Sequence, residues 1–213
     1  YTYFVADLAG FYDRSPDLLS YDEVTVWVEH LISQRHLAAS TVNIAVNAVR
    51  FLYGTTLGRD TAPLLAGIPR MKRNILRAEV YAVSELERIL CAPIEPRDRA
   101  FLMTVYACGL RLTEATHLQV TDIDRPRMQL RVRRGKGAKE RVLPLSQRLH
   151  GELRSYWLAQ RARRPGHESP WLFLGQQPDE PINRSTGQNI YYRAVKKSGV
   201  RRKGGIHILR HSF

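Results

Sequence analysis

The sequence predicts a mainly helical protein with a small antiparallel β-sheet, divided into two domains. Apolar residues recur at helical spacing over most of the chain. Two short alternating segments flank a glycine-rich turn at residues 134–139, and a basic stretch with proline and glycine separates two parts of the chain. We therefore expect a helical domain over residues 1–65, a linker over 66–80 and an α+β domain over 81–213.

Three helices are predicted in the first domain. The first ends near Tyr12, before a Ser-Pro-Asp break. The second begins at a capping box, with Ser20 as N-cap and Glu23 three residues later. Ser40 is predicted to cap the third helix, and Gly58 is placed to end it.

The linker-like composition begins at Ala62, a few residues before the predicted linker itself, and the segment is basic. It contains Pro63, Gly67 and Pro69, followed by Arg70, Lys72, Arg73 and Arg77. Such a segment can lie along a phosphate backbone. A solvated run of charge is equally compatible with this composition.

The second domain is predicted to open near Tyr81 with a helix that Ser84 and Glu87 cap. Further helices are predicted at residues 97–108, 112–118, 146–163 and 189–198, and in the C-terminal heptad 207–213. Residues 128–132 and 140–143 alternate like the two strands of a hairpin. The apolar run 171–173 is either a strand or a packing anchor.

The charge of the chain points to a polyanionic partner. Lys and Arg number 33 against 20 Asp and Glu, which gives a formal net charge of +13. Nucleic acid is the simplest polyanion, and an anionic membrane surface or plain solubility are the alternatives. No run of 18 apolar residues occurs, so we expect no transmembrane helix and no membrane partner.

The two cysteines, Cys91 and Cys108, lie among apolar residues without metal-ligand spacing. This favours buried, reduced thiols in a cytoplasmic protein. The N-terminus has neither the layout of a signal peptide nor an initiator Met, so we expect both ends of the sequence to be trimmed.

The C-terminal heptad places an imidazole beside a guanidinium. On a helix, His207 and Arg210 stand three residues apart and share one face. The guanidinium can bind two phosphate oxygens, and the ring can move a proton near neutral pH. Ile208, Leu209 and Phe213 are predicted to face inward. The alternative is a helix end whose basic residues are merely solvated.

Two further segments carry candidate chemistry. Gly109 lets the backbone turn so that Arg111 leaves the preceding helix, and Glu114 can hold its guanidinium. The spacing alone favours an ordinary surface ion pair. Lys136 lies between two glycines at the predicted hairpin tip, where it can enter a DNA groove or protonate a leaving oxygen. A polar tip whose lysines only contact phosphate is the alternative.

Taken together, three segments resemble the tyrosine recombinases, also called the phage integrases. They are LRLTE at 110–114, GKGAKERVLPL at 135–145 and HILRHSF at 207–213. They occur in the family's order and at similar spacing, and the hairpin is most similar to the Xer-like branch. The N-terminal part resembles the family's SAM-like core-binding domain by pattern only.

The resemblance implies a catalytic set of Arg111, Lys136, His207 and Arg210, with Glu114 supporting the first arginine. The family also has a second histidine or tryptophan and a nucleophilic tyrosine, which are expected beyond residue 213. None of the ten tyrosines matches that nucleophile. Basic residues expected to contact DNA are Arg70, Lys72, Arg73, Arg134, Lys139, Arg141, Arg193, Lys196 and Lys197.

The implied function is site-specific strand exchange on double-stranded DNA through a 3′-phosphotyrosyl intermediate. The resemblance implies a homotetramer on paired sites. It implies no metal, no ATP and no other cofactor, because the covalent bond retains the energy of the broken one. Without the tyrosine, we expect this chain to be inactive. The alternatives are a non-catalytic DNA-binding regulator and DNA relaxation of the type IB topoisomerase kind.

Overall fold

The computed structural model describes residues 1–68, 71, 79–133, 140–163, 169–177 and 179–213. The chain divides into two compact units, Tyr1–Leu76 and Arg77–Phe213, each with its own hydrophobic core. The predictions for seven basic residues lie outside the described residues: Arg70, Lys72, Arg73, Arg77, Arg134, Lys136 and Lys139.

The first unit is helical. Its helices are α1 (Thr2–Tyr12), α2 (Tyr21–Ser33), α3 (Ala39–Phe51) and α4 (Ala62–Gly67), and one π-helical turn (Leu52–Thr56) extends α3. The capping box of α2 is confirmed. The Glu23 amide donates to Ser20 Oγ at 3.2 Å, and the Ser20 amide donates to Glu23 Oε2 at 2.8 Å.

Aromatic and aliphatic side chains from α2, α3 and the π-helical turn contribute to the core of this unit. Trp27, Leu31, Val49 and Tyr53 are fully buried. The indole nitrogen of Trp27 donates to Asp7 Oδ2 at 3.2 Å, so its polar atom keeps a partner inside the unit.

Two local predictions for this unit are wrong. Helix α3 begins at Ala39 with Ala38 as its N-cap, and no side chain caps it, so Ser40 has no capping role. Helix α4 occupies residues whose composition predicted the start of the linker. Pro63 lies in the first turn, where proline fits a helix because no amide is needed there, and Leu64 is buried in the core.

The second unit contains six helices and three strands among the described residues. The helices are α5 (Val83–Cys91), α6 (Pro96–Ala107), α7 (Leu112–Thr116), α8 (Gln147–Arg163), α9 (Arg184–Ser198) and α10 (His207–His211). The strands are β1 (Ile123–Asp124), β2 (Gln129–Val132) and β3 (Arg141–Pro144). The predicted fold class, mainly α with a small antiparallel sheet, is confirmed.

The sheet is antiparallel in the order β1-β2-β3. Leu130 pairs with Leu143, and Val132 pairs with Arg141. Leu130 and Val132 are buried on the same face, as the alternation predicted. Strand β1 was not predicted, because two residues are too short to show alternation. Arg141 is the first residue of β3.

Helix α6 lies at the centre of this unit, with buried side chains around most of its circumference. Helix α9 approaches it closely at Gly187, where an added Cβ would lie 2.9 Å from Phe101 Cζ and 2.9 Å from Leu112 Cδ1. The contact with Leu112 packs the start of α7 against α9.

Two further predictions for this unit require correction. Helix α5 starts at Val83, and its first turn is capped by Glu85, which accepts from the Ala82 amide at 2.9 Å, so Ser84 and Glu87 do not form the capping box. Lys203 Nζ donates to Glu85 Oε2 at 2.9 Å, and this contact helps to hold the Glu85 carboxylate at the start of α5. Both cysteines are free and Cys108 is buried, but Cys91 at the end of α5 is exposed.

No helix in the described ranges is both long and apolar enough to cross a membrane.

Candidate active site

A tight turn between α6 and α7 presents Arg111. Gly109 adopts a left-handed conformation with φ of 53°, which an L-residue adopts only with strain. The Leu110 amide donates back to the Val105 carbonyl at 3.0 Å and closes the turn. Arg111 then serves as the N-cap of α7, and its side chain keeps 36% of its surface exposed.

Glu114 is the buried centre of the site, with a side chain that is 2% exposed. Its Oε2 accepts from the Arg111 amide at 2.8 Å, which caps α7. Its Oε1 accepts from Arg111 Nη1 at 2.9 Å. The spacing favoured a surface ion pair, and the structure shows instead a buried carboxylate that fixes both the backbone and the guanidinium of Arg111.

Arg141 on β3 approaches the same carboxylate from the sheet. Its Nη1 donates to Glu114 Oε1 at 3.0 Å, and its Nη2 donates to Glu114 Oε2 at 2.7 Å. Two parallel hydrogen bonds of this kind form the strongest and most directional arginine–carboxylate contact. Arg141 was predicted only as a DNA contact, and its role at Glu114 was missed.

Arg210 on α10 completes the cluster. Its Nη1 donates to the Gly109 carbonyl at 2.7 Å and lies 3.7 Å from Glu114 Oε2. The helix is held by the buried side chains of Ile208 and Leu209. Ser212 Oγ accepts from the Tyr81 amide at 3.1 Å, which ties the end of the helix to the start of the unit. The two arginines predicted from separate motifs therefore meet at one carboxylate.

The charges in this cluster do not balance. Burial by itself raises the pKa of Glu114, but the hydrogen bonds from Arg141 and Arg111 outweigh burial and lower the pKa to about 2. Glu114 is therefore ionised at neutral pH. Three guanidinium groups surround it, so two positive charges remain uncompensated among these four side chains. This excess of positive charge can bind an anion such as a phosphate group.

His207 lies at the start of α10, and its surroundings favour the neutral ring. Burial lowers its pKa below the ordinary value, and the positive charges of His211, Arg184, Arg210 and Arg111 lower it further. A neutral imidazole can accept a proton near pH 7.

The described residues predicted to contact DNA differ in their surroundings. Arg193 Nη2 donates to Asp98 Oδ2 at 2.9 Å, and its side chain is 65% exposed. Lys196 and Lys197 are exposed in the last turn of α9. No group of three or more His, Cys, Asp or Glu side chains in the described part of the chain is arranged to hold a metal ion.

Phe213 does not face inward as predicted. It is 73% exposed, and its ring covers Gly109, where an added Cβ would lie 3.0 Å from Phe213 Cδ1. The ring therefore packs against the turn that presents Arg111, at the surface of the unit.

This turn gives a stability prediction. Replacing Gly109 with alanine should destabilise the second unit by about 1–2 kcal/mol, because the left-handed backbone is strained for an L-residue. Thermal unfolding of the second unit measures the change. Gly151→Ala is the matched control: Gly151 lies in α8 with no atom within 4 Å of an added Cβ, so that variant should gain about 0.5–1 kcal/mol. Equal effects at the two sites would contradict the assignment of strain to Gly109.

Comparison with known proteins identifies the family. Residues 79–213 match the phage integrase family, and residues 1–62 match the phage integrase N-terminal SAM-like domain. The first match covers more than half of the chain, and the chain therefore belongs to the phage integrase family, the tyrosine recombinases.

Curated relatives give the same classification. A putative integrase/recombinase of Sinorhizobium fredii is 34% identical over 209 residues, which are 98% of this chain and 66% of that protein. The tyrosine recombinase XerC of Chromohalobacter salexigens is 36% identical over 162 residues, covering 70% of this chain and 49% of that protein. The chain thus spans about half to two thirds of the length of these relatives.

Solved structures share the fold. The XerH site-specific recombinase bound to difH substrate in a pre-cleavage complex matches with a TM-score of 0.68 and 21% identity, over 93% of this chain and 59% of that one. The XerA recombinase matches with a TM-score of 0.58 and 21% identity, over 99% of this chain and 73% of that one.

Proposed function

We propose that the chain belongs to a site-specific recombinase that breaks and rejoins double-stranded DNA through a 3′-phosphotyrosyl intermediate. The observation that carries this proposal is the cluster of Arg111 and Arg210 on the buried, ionised Glu114, beside His207. The two arginine side chains are 36% and 32% exposed, so both can reach an anion from solvent.

The arginines suit the charge that develops during strand cleavage. A phosphodiester carries one negative charge, and the pentacoordinate transition state places more charge on the same nonbridging oxygens. Guanidinium groups already held by Glu114 and Gly109 need no reorganisation to meet this charge. Their contact is therefore stronger in the transition state than in the bound substrate, which is the condition for raising the rate.

A neutral His207 suits proton transfer at the same phosphate. The attacking tyrosine loses a proton as its oxygen bonds to phosphorus, and the departing 5′-oxygen gains one as its bond breaks. Burial and nearby positive charge lower the pKa of His207, so the ring is available to accept the proton of the tyrosine.

We propose Lys136 as the acid that protonates the 5′-oxygen. Lys136→Ala should cleave ordinary DNA slowly, and it should recover most of the rate on DNA with sulfur at the bridging 5′ position, because a thiolate leaves without a proton. Single-turnover cleavage of both duplexes measures this. Arg111→Ala is the control and should be slow on both. If Lys136→Ala cleaves both duplexes equally slowly, Lys136 is not the acid and instead contacts a phosphate or a groove of the DNA.

We place the attacking tyrosine outside the ten in the sequence, because none of them matches the nucleophile position of the family. Two of those in the second unit, Tyr81 and Tyr191, are buried, with their hydroxyl oxygens 2.7 Å apart. Burial and this hydrogen bond raise the pKa of Tyr191, which opposes its ionisation. Neither feature suits a nucleophile that must reach DNA.

Detergent-resistant attachment to DNA tests the proposed function. The full gene product, which on this proposal carries the tyrosine, should remain covalently joined to the 3′ end of a nicked suicide duplex after denaturation. The chain of 213 residues should not. An adduct mapped to any of the ten tyrosines would overturn the placement of the nucleophile. No adduct from the full product, with DNA binding intact, would favour a non-catalytic regulator.

The basic character of the chain supports DNA as the partner. The net charge is +13, and Arg193, Lys196 and Lys197 offer exposed positive charge on α9. One solved neighbour is a lambda integrase tetramer bound to a Holliday junction. We propose a homotetramer on paired sites, and relaxation of supercoils without strand exchange would favour topoisomerase activity instead.

A further inference from the structure

Among the described residues, Glu114 has one side-chain partner that the proposed mechanism does not use. Arg141 contacts both carboxylate oxygens, at 3.0 Å and 2.7 Å, whereas Arg111 contacts one through its side chain at 2.9 Å. Arg210 Nη1 remains 3.7 Å away and donates to the Gly109 carbonyl instead. The strongest pairing of this carboxylate is therefore with an arginine from β3, outside the pair proposed to bind phosphate.

The buried carboxylate is a competitor of DNA. Glu114 is 2% exposed and ionised, so its charge has to be balanced by neighbouring side chains. If Arg141 were absent, Arg111 and Arg210 would be the remaining cationic partners of Glu114 in the part of the chain that the structure describes. Arg111, which now gives Glu114 one side-chain hydrogen bond, would be drawn into a second, and Arg210 would close the gap of 3.7 Å. Fewer of their N–H groups would then face a phosphate.

We infer that Arg141 is a positioning residue that satisfies Glu114 and thereby keeps Arg111 and Arg210 available to the scissile phosphate. The inference rests on the proposed function. It differs from the expectation that Arg141 contacts DNA, because its guanidinium gives Glu114 two hydrogen bonds, whereas the Arg111 guanidinium gives one.

The position of Arg141 in the fold supports this role. Arg141 opens β3 and pairs with Val132 across the hairpin, so its contact with Glu114 fixes the base of the hairpin against the α6–α7 turn. This pair therefore holds β3 and the turn that presents Arg111 together within the second unit.

A double-mutant cycle in the full gene product tests the inference. The variants are Arg141→Ala, Glu114→Gln and the double variant, and the readouts are the single-turnover cleavage rate at saturating DNA, the dissociation constant and its salt dependence. Arg141→Ala should slow cleavage by about 100-fold, as expected when reacting groups are displaced from working geometry. Its affinity for DNA and its salt dependence should be nearly unchanged.

The double variant decides between positioning and DNA contact. Glutamine keeps an oxygen that accepts from the Arg111 amide but removes the charge that Arg141 balances. The double variant should therefore cleave at least about tenfold faster than Arg141→Ala alone, a coupling that only interacting residues show. Weakened DNA binding, a smaller salt dependence and no recovery in the double variant would overturn the inference and return Arg141 to a phosphate contact.

Two controls separate the possible causes of a loss. Arg99→Ala removes an arginine paired with Glu152 at 2.9 Å in the same unit and should leave cleavage unchanged. Arg141→Lys keeps the charge without the two parallel bonds, and an intermediate rate supports the inference even where alanine prevents folding.

Failure of the inference can be distinguished from failure of the proposed function. Normal cleavage by Arg111→Ala would contradict the proposed function. If Arg111→Ala is inactive and the double variant of Arg141 and Glu114 shows no recovery, only the positioning role of Arg141 is contradicted.

Discussion

Replacing Arg111 or Arg210 with alanine is expected to remove nearly all strand cleavage while DNA binding is nearly preserved. Each arginine is proposed to meet the additional charge that develops on the nonbridging oxygens in the transition state. Removal of one such preorganised donor costs roughly 3–4 kcal/mol, or about 100- to 1,000-fold in rate. Binding is preserved because the dissociation constant reflects many other basic side chains in a chain with a net charge of +13.

Single-turnover cleavage of a suicide duplex by the full gene product measures this loss. Arg127→Ala is the matched control: Arg127 is 74% exposed and pairs with Asp124 at the surface of the same unit. Its removal should change the rate by less than about twofold, since surface pairs contribute little. If either Arg111→Ala or Arg210→Ala cleaves at the wild-type rate, that arginine does not contact the reacting phosphate.

Replacing Glu114 with glutamine is expected to destabilise the second unit in a pH-dependent way. The folded pKa is about 2, below the value of 4.5 for a free glutamate side chain. The charged form therefore stabilises the fold fully above pH 4.5, and this contribution is lost as the pH falls from 4.5 towards 2. The variant should lose on the order of 3 kcal/mol at pH 7 and almost nothing at pH 2.

Hydrogen exchange of buried amides in α6 reports the unfolding of this unit without interference from the first. Glu152→Gln is the control, because Glu152 is 25% exposed and contacts Arg99 in one surface ion pair. Its cost should remain below about 1 kcal/mol at both pH values. An equal loss for Glu114→Gln at pH 7 and at pH 2 would show that the stabilisation does not come from the charge.

Local patterns in the sequence predicted the elements whose signals are themselves local. The Ser20–Glu23 capping box and the alternation of β2 were recognised because each depends on neighbours along the chain. Helix α4 was missed because proline and glycine resemble linker punctuation, although Pro63 lies in the first turn and Leu64 is drawn into the core. Tertiary packing decides such cases.

The burial of Glu114 at the centre of the site was harder to predict than the identity of the residues in it. The motifs pointed to Arg111, Glu114 and Arg210, but the spacing of Arg111 and Glu114 is equally that of a surface pair. Glu114 is buried because residues from β3 and α10, at least 27 positions away in sequence, close over it. The alternation of the hairpin was the one available signal for Arg141, since it determined which residues of β3 share a face.

The central claim is that Arg111 and Arg210 act on the nonbridging oxygens of the scissile phosphate. Cleavage of DNA that carries a neutral methylphosphonate at that position, by wild type and by both alanine variants, tests it most directly. With one negative charge removed from the substrate, the loss caused by each substitution should shrink from about 100- to 1,000-fold to about tenfold or less. A loss of the same size on both substrates would show that the arginines act elsewhere and would contradict the claim.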